Sequence, residues 1–176
     1  YMGVVEDFMP FTSCSTPISS TAKIGEGTII QPNVFIGNNA VIGKNCVIHS
    51  NVSIYDNCII GDNVVIHSGC VIGADAYYFQ KHDGKYRKFK SCGNVVIGND
   101  VELGALCTID KGVSNDTTIG DGTKMDNHVQ VGHDTVIGKN GLIGCHSSIA
   151  GVTVIEDDVV IWAKTAINKD IVVGKG

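Results

Sequence analysis

An isoleucine recurs at every sixth residue over the first half of the chain: Ile18, Ile24, Ile30, Ile36, Ile42, Ile48, Ile54, Ile60, Ile66 and Ile72. The series breaks at a long insertion, resumes at Ile97, Leu103 and Ile109, and slips by four residues. It then continues through Ile119, Met125, Val131, Ile137, Ile143, Ile149, Ile155, Ile161, Ile167 and Val173. Four residues after each of these stands a small or β-branched side chain, as at Thr28, Val34, Ala40, Cys46, Val52, Cys58, Val64 and Cys70. A period of six fits neither a helix of 3.6 residues per turn nor a heptad. β-Branched residues separated by Gly, Asn and Asp instead describe short strands joined by tight turns. Each hexad is then one flat face, and three faces close a triangular coil of 18 residues with the isoleucines stacked inside. Coils stacked by parallel pairing at about 4.8 Å make roughly seven to eight turns and a prism about 35 Å long. The fold class read from the sequence is therefore all-β, a single-stranded parallel β-helix with one long inserted loop.

Residues 1–16 carry no repeat and read as a linker from a preceding segment. The helix domain is expected over 17–176, with its insertion at about 73–94. Val173-Gly174-Lys175-Gly176 stops inside a hexad without a cap, so further coils or a cap are expected to follow. The formal net charge of −5 argues against nucleic acid as the main partner, which would need a basic face. One local exception is Lys81, Lys85, Arg87, Lys88 and Lys90, set against Asp83 alone. Cys46, Cys58 and Cys70 fall in step with the repeat and read as a ladder of small core thiols, which points to a reducing cytoplasm. No apolar run approaches a membrane span and no signal peptide opens the chain, so stable membrane insertion and export are not indicated.

Function is expected where the repeat is broken. The insertion brings Asp75, Tyr77, Tyr78 and Phe79 beside the basic run, a combination suited to a phosphate-bearing ligand or an acidic carrier. The slip follows Thr108-Ile109-Asp110-Lys111-Gly112. His128 and His133, spaced by five, leave different points of the coil, and His49 and His67 stack on one edge as a side-chain ladder. No metal site is expected from them. His133 is the stronger catalytic candidate, because Gly151 lies 18 residues later, hence one coil on. An imidazole and a bare backbone amide about 4.8 Å apart suit acyl transfer, as general base and oxyanion donor. Taken alone, the pair also fits a surface histidine and a turn glycine. Asn127 and Gln130, in the same segment, are candidate substrate contacts.

From Ile18 to Val173 the chain resembles the UDP-3-O-(3-hydroxyacyl)glucosamine N-acyltransferases of lipid A biosynthesis. The resemblance is carried by Asn51-Val52-Ser53-Ile54-Tyr55, by Ser68 to Asp75 opening the insertion, by Cys107 to Gly112 with the slip after it, and by Asp126 to Asp134 with Ile149-Ala150-Gly151. It implies a left-handed coil, whereas the general preference of crossover connections is right-handed. It also implies a homotrimer with active sites in grooves between subunits. His133 matches the family's general base and Gly151 its oxyanion amide, with Asp75 as a partner that orients His133. The acyl donor implied is a phosphopantetheine thioester on acyl carrier protein, the acceptor is the 2-amino group of a UDP-linked glucosamine, and no further cofactor is required. Three departures stand out: no N-terminal uridine-binding domain is seen, Asp170 aligns with a second family histidine, and Ala76-Tyr77-Tyr78-Phe79 replaces a glycine-aromatic-glycine sequence. Val152 separates the chain from the sister O-acyltransferases, which carry histidine directly after the oxyanion glycine. The departures leave open a coenzyme A thioester as donor, and thus a sugar acetyltransferase. A carbonic-anhydrase-like metal enzyme or a non-catalytic scaffold on the same prism are the other readings.

Overall fold

The computed structural model describes residues 16–175, so most of the expected 1–16 linker lies outside the described residues. The fold is a left-handed parallel β-helix of about 8 turns, with no α-helix among the described residues. Its strands, mostly two residues long, lie in three parallel sheets of eight, seven and seven strands. Register follows the hexads throughout: Ile24 pairs with Ile42, Ile30 with Ile48 and Ile36 with Ile54. Across the insertion Ile60 pairs with Ile97 and Ile66 with Leu103. Across the slip Ile97 pairs with Ile119. Both breaks therefore leave the stacking of faces intact.

The register isoleucines form the core, with Ile36, Ile48, Ile54, Ile66 and Ile72 all at 0% exposure. Full burial of one such side chain contributes roughly 1.5–3 kcal/mol. Turns are made by the third residue after each register position, which takes a left-handed backbone conformation. Asn33, Asn39, Asn45, Asn51, Asn57 and Asn63 do so with φ between 54° and 63°. Asparagine tolerates this region because its short polar side chain can bond locally.

Cys46, Cys58 and Cys70 are buried core residues as expected, but they do not stack as one ladder. A spacing of twelve advances the chain by two of three faces, so Cys46, Cys58 and Cys70 occupy three different corners. Each thiol donates instead to a carbonyl of the next coil: Cys46 to Gly61 at 3.2 Å, Cys58 to Ile72 at 3.7 Å and Cys70 to Gly104 at 3.0 Å.

The insertion leaves the prism as an antiparallel hairpin, Phe79–His82 against Lys85–Lys88, that forms a sheet of its own. Its two-residue turn is Asp83-Gly84, with φ of 50° and 74°. Positive φ at both positions matches the right-handed twist of the strands, which is why Asp-Gly suits this turn. The hairpin emerges just after strand Val71–Ala74, at the corner that also carries the slip and His133.

Candidate active site

His133 lies two residues past strand Gln130–Val131, at the corner leading to strand Val136–Ile137. Its side chain is 15% exposed and its Nδ1 lies 2.7 Å from Asp134 Oδ2. Asp134 has a φ of 55°. The Asp134 carboxylate also accepts the N–H groups of Val113, Ser114 and Asn115, at 2.9, 3.0 and 2.7 Å. One carboxylate thus holds both the ring and the four-residue slip. Burial pushes the Asp134 carboxyl up, but the Asn115 N–H, the His133 ring and the N–H groups of Val113 and Ser114 outweigh it and hold it below the usual range. A carboxylate on Nδ1 fixes the tautomer that leaves Nε2 free to accept a proton.

Nε2 faces Gly151. A Cβ built on Gly151 would sit 2.7 Å from His133 Nε2 and 2.8 Å from Cε1, so any side chain there would displace the ring. The Gly151 N–H points out of the same corner. In six turns among the described residues the N–H two residues past the register position donates to an Asp or Asn side chain of the next coil. Asn38 donates to Asp56, Lys44 to Asp62 and Lys139 to Asp157, each at 2.7 Å. The residue that would cap Gly151 is Lys169, which has no acceptor, and the Gly151 N–H donates to nothing among the described residues. Thr135, fully buried, donates its hydroxyl to the Ala150 carbonyl at 3.2 Å. That bond fixes the Ala150–Gly151 peptide with its carbonyl inward, and a trans peptide then turns its N–H outward. The coils capped by Asp show what this N–H geometry accepts: an anionic oxygen at 2.7 Å.

Asp75 is not the partner of His133; that place is filled by Asp134. The insertion turns the Asp75 carboxylate toward Lys88 and Lys111, at 3.0 and 2.9 Å. Burial works against its charge, and the two lysines outweigh burial and keep its carboxyl below the usual range. Asn127 is likewise removed from the pocket. It lies two residues past Met125, at the preceding corner, where its Oδ1 accepts the Ala105 N–H at 2.7 Å. Its residue type is explained by that capping bond. Gln130 stays on the outer side of the strand leading to His133, between Thr108 and Ser148. Tyr78 meets His133 edge-on, with centroids 5.4 Å apart, and meets Phe89 at 5.6 Å. Tyr77, Tyr78, Phe79 and Tyr86 line a hollow of about 410 Å³ on the insertion. Four of the other histidines keep away from this corner as stacked pairs, His49 on His67 at 4.8 Å and His128 on His146 at 4.5 Å, and His82 meets Asp83 at the hairpin turn.

Two residues of the site escape the sequence reading. Asp134 had a visible signal, since it adjoins His133, but its direction depends on the turn conformation. Asp110 stands in the quoted Thr108 to Gly112 segment, and only the coil stacking brings it beside His133.

Residues 39–74 match the family described as bacterial transferase hexapeptide (six repeats), and residues 134–169 match the hexapeptide repeat of succinyl-transferase. Among curated relatives, the UDP-3-O-acylglucosamine N-acyltransferase of Methylobacterium nodulans is 41% identical over 104 residues, 59% of this chain and 30% of its own length. The enzyme of the same name from Leptospira biflexa is 47% identical over 79 residues, 45% of this chain and 22% of its own. The matched stretch thus spans less than a third of these relatives. Among solved structures, a UDP-N-acetylglucosamine acyltransferase from Bacteroides fragilis superimposes with a TM-score of 0.81 at 29% identity, over 94% of this chain and 63% of that one. The Arabidopsis UDP-N-acetylglucosamine acyltransferase has a TM-score of 0.80 at 23% identity, over 90% of this chain and 55% of that one, and shares the fold.

Proposed function

We propose that this hexapeptide chain is the catalytic β-helix of an N-acyltransferase acting in lipid A biosynthesis. It moves a 3-hydroxyacyl group from the phosphopantetheine thioester of acyl carrier protein to the 2-amino group of a UDP-linked glucosamine. The observation that carries the reading is the free Gly151 N–H beneath His133 Nε2. The names of the curated relatives support the same chemistry.

In this reading the acceptor nitrogen attacks the thioester carbonyl carbon while His133 Nε2 takes one N–H proton. The Gly151 N–H donates to the oxyanion of the tetrahedral intermediate, in the place an Asp oxygen fills elsewhere in the coil. The C–S bond then breaks, the thiolate takes the proton from the imidazolium, and amide and free thiol leave. Asp134 steadies the imidazolium between the two proton transfers. The aromatic hollow and the basic hairpin are the contacts offered to the nucleotide and to the acidic carrier.

The protein acts as a homotrimer in this proposal. Beyond Lys23, the outer column of the eight-stranded sheet runs Val41, Ile59, Val96, Thr118, Val136, Val154 and Val172, a nearly continuous apolar stripe that includes Val136, three residues past His133. A second copy on that face would bury the stripe and wall the pocket. Cys46, Cys58, Cys70, Cys107 and Cys145 are free thiols, which supports a cytoplasmic location.

The test is release of carrier thiol by the full-length protein, given hydroxyacyl carrier protein and a UDP-glucosamine acceptor. His133→Ala should lower kcat by at least about 10²-fold. Full activity in that variant would refute the assigned base, and turnover with acetyl-coenzyme A but not the carrier substrate would change the donor.

A further inference from the structure

Asp110 is a half-buried carboxylate that the chemistry above leaves unused. It ends strand Thr108–Asp110, whose Ile109 pairs with Val131, so Asp110 stands beside Gly132 and His133 of the next coil. Side chains at this coil position lean toward the following turn: a Cβ on Gly37 would meet Asp56 and Tyr55, and one on Gly104 would meet Asp126 and Asn127. Asp110 itself follows a register shift after Ile109 and pairs with Ala74 of the coil before, and His133 of the coil after acts on its charge.

The charges facing Asp110 do not balance. His133, Lys88 and Asp75 act on it electrostatically, yet it accepts no hydrogen bond and joins no ion pair among the described residues. Lys88 and Lys111 are both engaged by Asp75. Asp134 is engaged by His133 and three N–H groups. Both lysines are therefore engaged by Asp75 and the imidazole Nδ1 by Asp134, and the carboxylate left over near His133 is Asp110. Burial pushes the Asp110 carboxyl up to about 6, against the pull of His133 and Lys88. It remains ionised at neutral pH.

A carboxylate without a donor, in a pocket holding a base and an oxyanion donor, lacks an N–H or ammonium partner from the ligand. We propose that Asp110 recognises the acceptor amine: its carboxylate takes a hydrogen bond from the amino group that His133 deprotonates, holding the nitrogen lone pair toward the acyl carbon. This rests on the transferase reading and names the residue that makes the site one for an amine.

The experiment compares full-length wild type with Asp110→Asn on the UDP-glucosamine acceptor, across pH. The variant should lose about 10- to 100-fold in kcat/KM for the amine, the scale of a hydrogen bond to a charged group. Its KM for the acyl donor should stay within about twofold, and the acid limb of its pH profile should lose one ionisation, that of Asp110 near 6. Carbon-detected NMR of the Asp110 carboxyl in His133→Gln should show its midpoint moved upward, because the imidazolium that lowers it is gone. Wild-type kcat/KM and an unchanged pH profile in Asp110→Asn would overturn the proposal, as would an equal loss for donor and acceptor. A wild type that acylates no amine would instead remove the transferase reading itself.

Discussion

Gly151 shows how a single missing side chain shapes the corner. Any Cβ there collides with the imidazole, yet the collision is with a side chain that can swing away. Gly151→Ala should therefore fold with a stability loss of about 1 kcal/mol or less, while kcat falls at least about 10²-fold because the base leaves its place. Thermal unfolding and turnover measured on one preparation would check both halves; a large stability loss would mean that the residue is structural. Asp110 makes the opposite case, a functional group held at a cost to the fold. Its carboxyl is raised when folded, so the folded state binds more protons than the unfolded one, and stability falls as pH rises from about 4 to 6. Asp110→Asn removes that fall. At pH 7.5 it should gain about 1–2 kcal/mol, after allowance for solvent screening of a group this exposed, and the gain should vanish near pH 4. Urea unfolding at the two pH values would measure it. His133 and Gly151 were legible from spacing alone, because an 18-residue coil converts sequence separation into contact. The partner of His133 was not: Asp134 takes the left-handed conformation common to the third residue of the turns, and spacing does not tell which neighbour a side chain meets from there.

The repeat is legible at the scale of elements because a single residue in six reports each face, and the observed pairs keep that register across both interruptions. The inside of the insertion was less so: Asp83-Gly84 is a strong hairpin turn, but the flanking Lys81-His82 and Lys85-Tyr86 lack the apolar alternation that marks a half-buried strand. The hairpin stays exposed on both strands and pairs with no coil. Its removal should therefore spare the prism. Replacing residues 80–87 with Asn-Gly keeps the Lys88 to Asp75 pair and deletes Tyr86 from the hollow. Stability should change by less than about 0.5 kcal/mol, and the KM for the acceptor should rise about tenfold, the scale of one aromatic contact. A loss of prism stability would show instead that the hairpin braces the coil. Asn127 illustrates the converse error, in which a polar residue near a catalytic one is a turn cap of the preceding corner.

A solenoid is stabilised through contacts between successive coils, so substitutions on its outer faces leave the core stacking intact. That separation lets assembly be tested apart from folding. Val136 and Val154 are adjacent in the outer apolar column, 43% and 36% exposed in the single chain, and their side chains point away from the isoleucine core. Lysine at both sites places two charges on the stripe without touching Ile137 or Ile155, which are 1% exposed. Desolvating unpaired ammonium groups at an interface is costly, so the double variant should sediment as a monomer with its β-sheet circular dichroism unchanged. His133 lies at the edge of this same face. If a neighbouring copy walls the pocket, the monomer should lose acyl transfer even though His133, Asp134 and Gly151 keep their places within one chain. A monomer with wild-type turnover would show that one corner of one coil suffices, and a variant that remains trimeric would move the interface to another face.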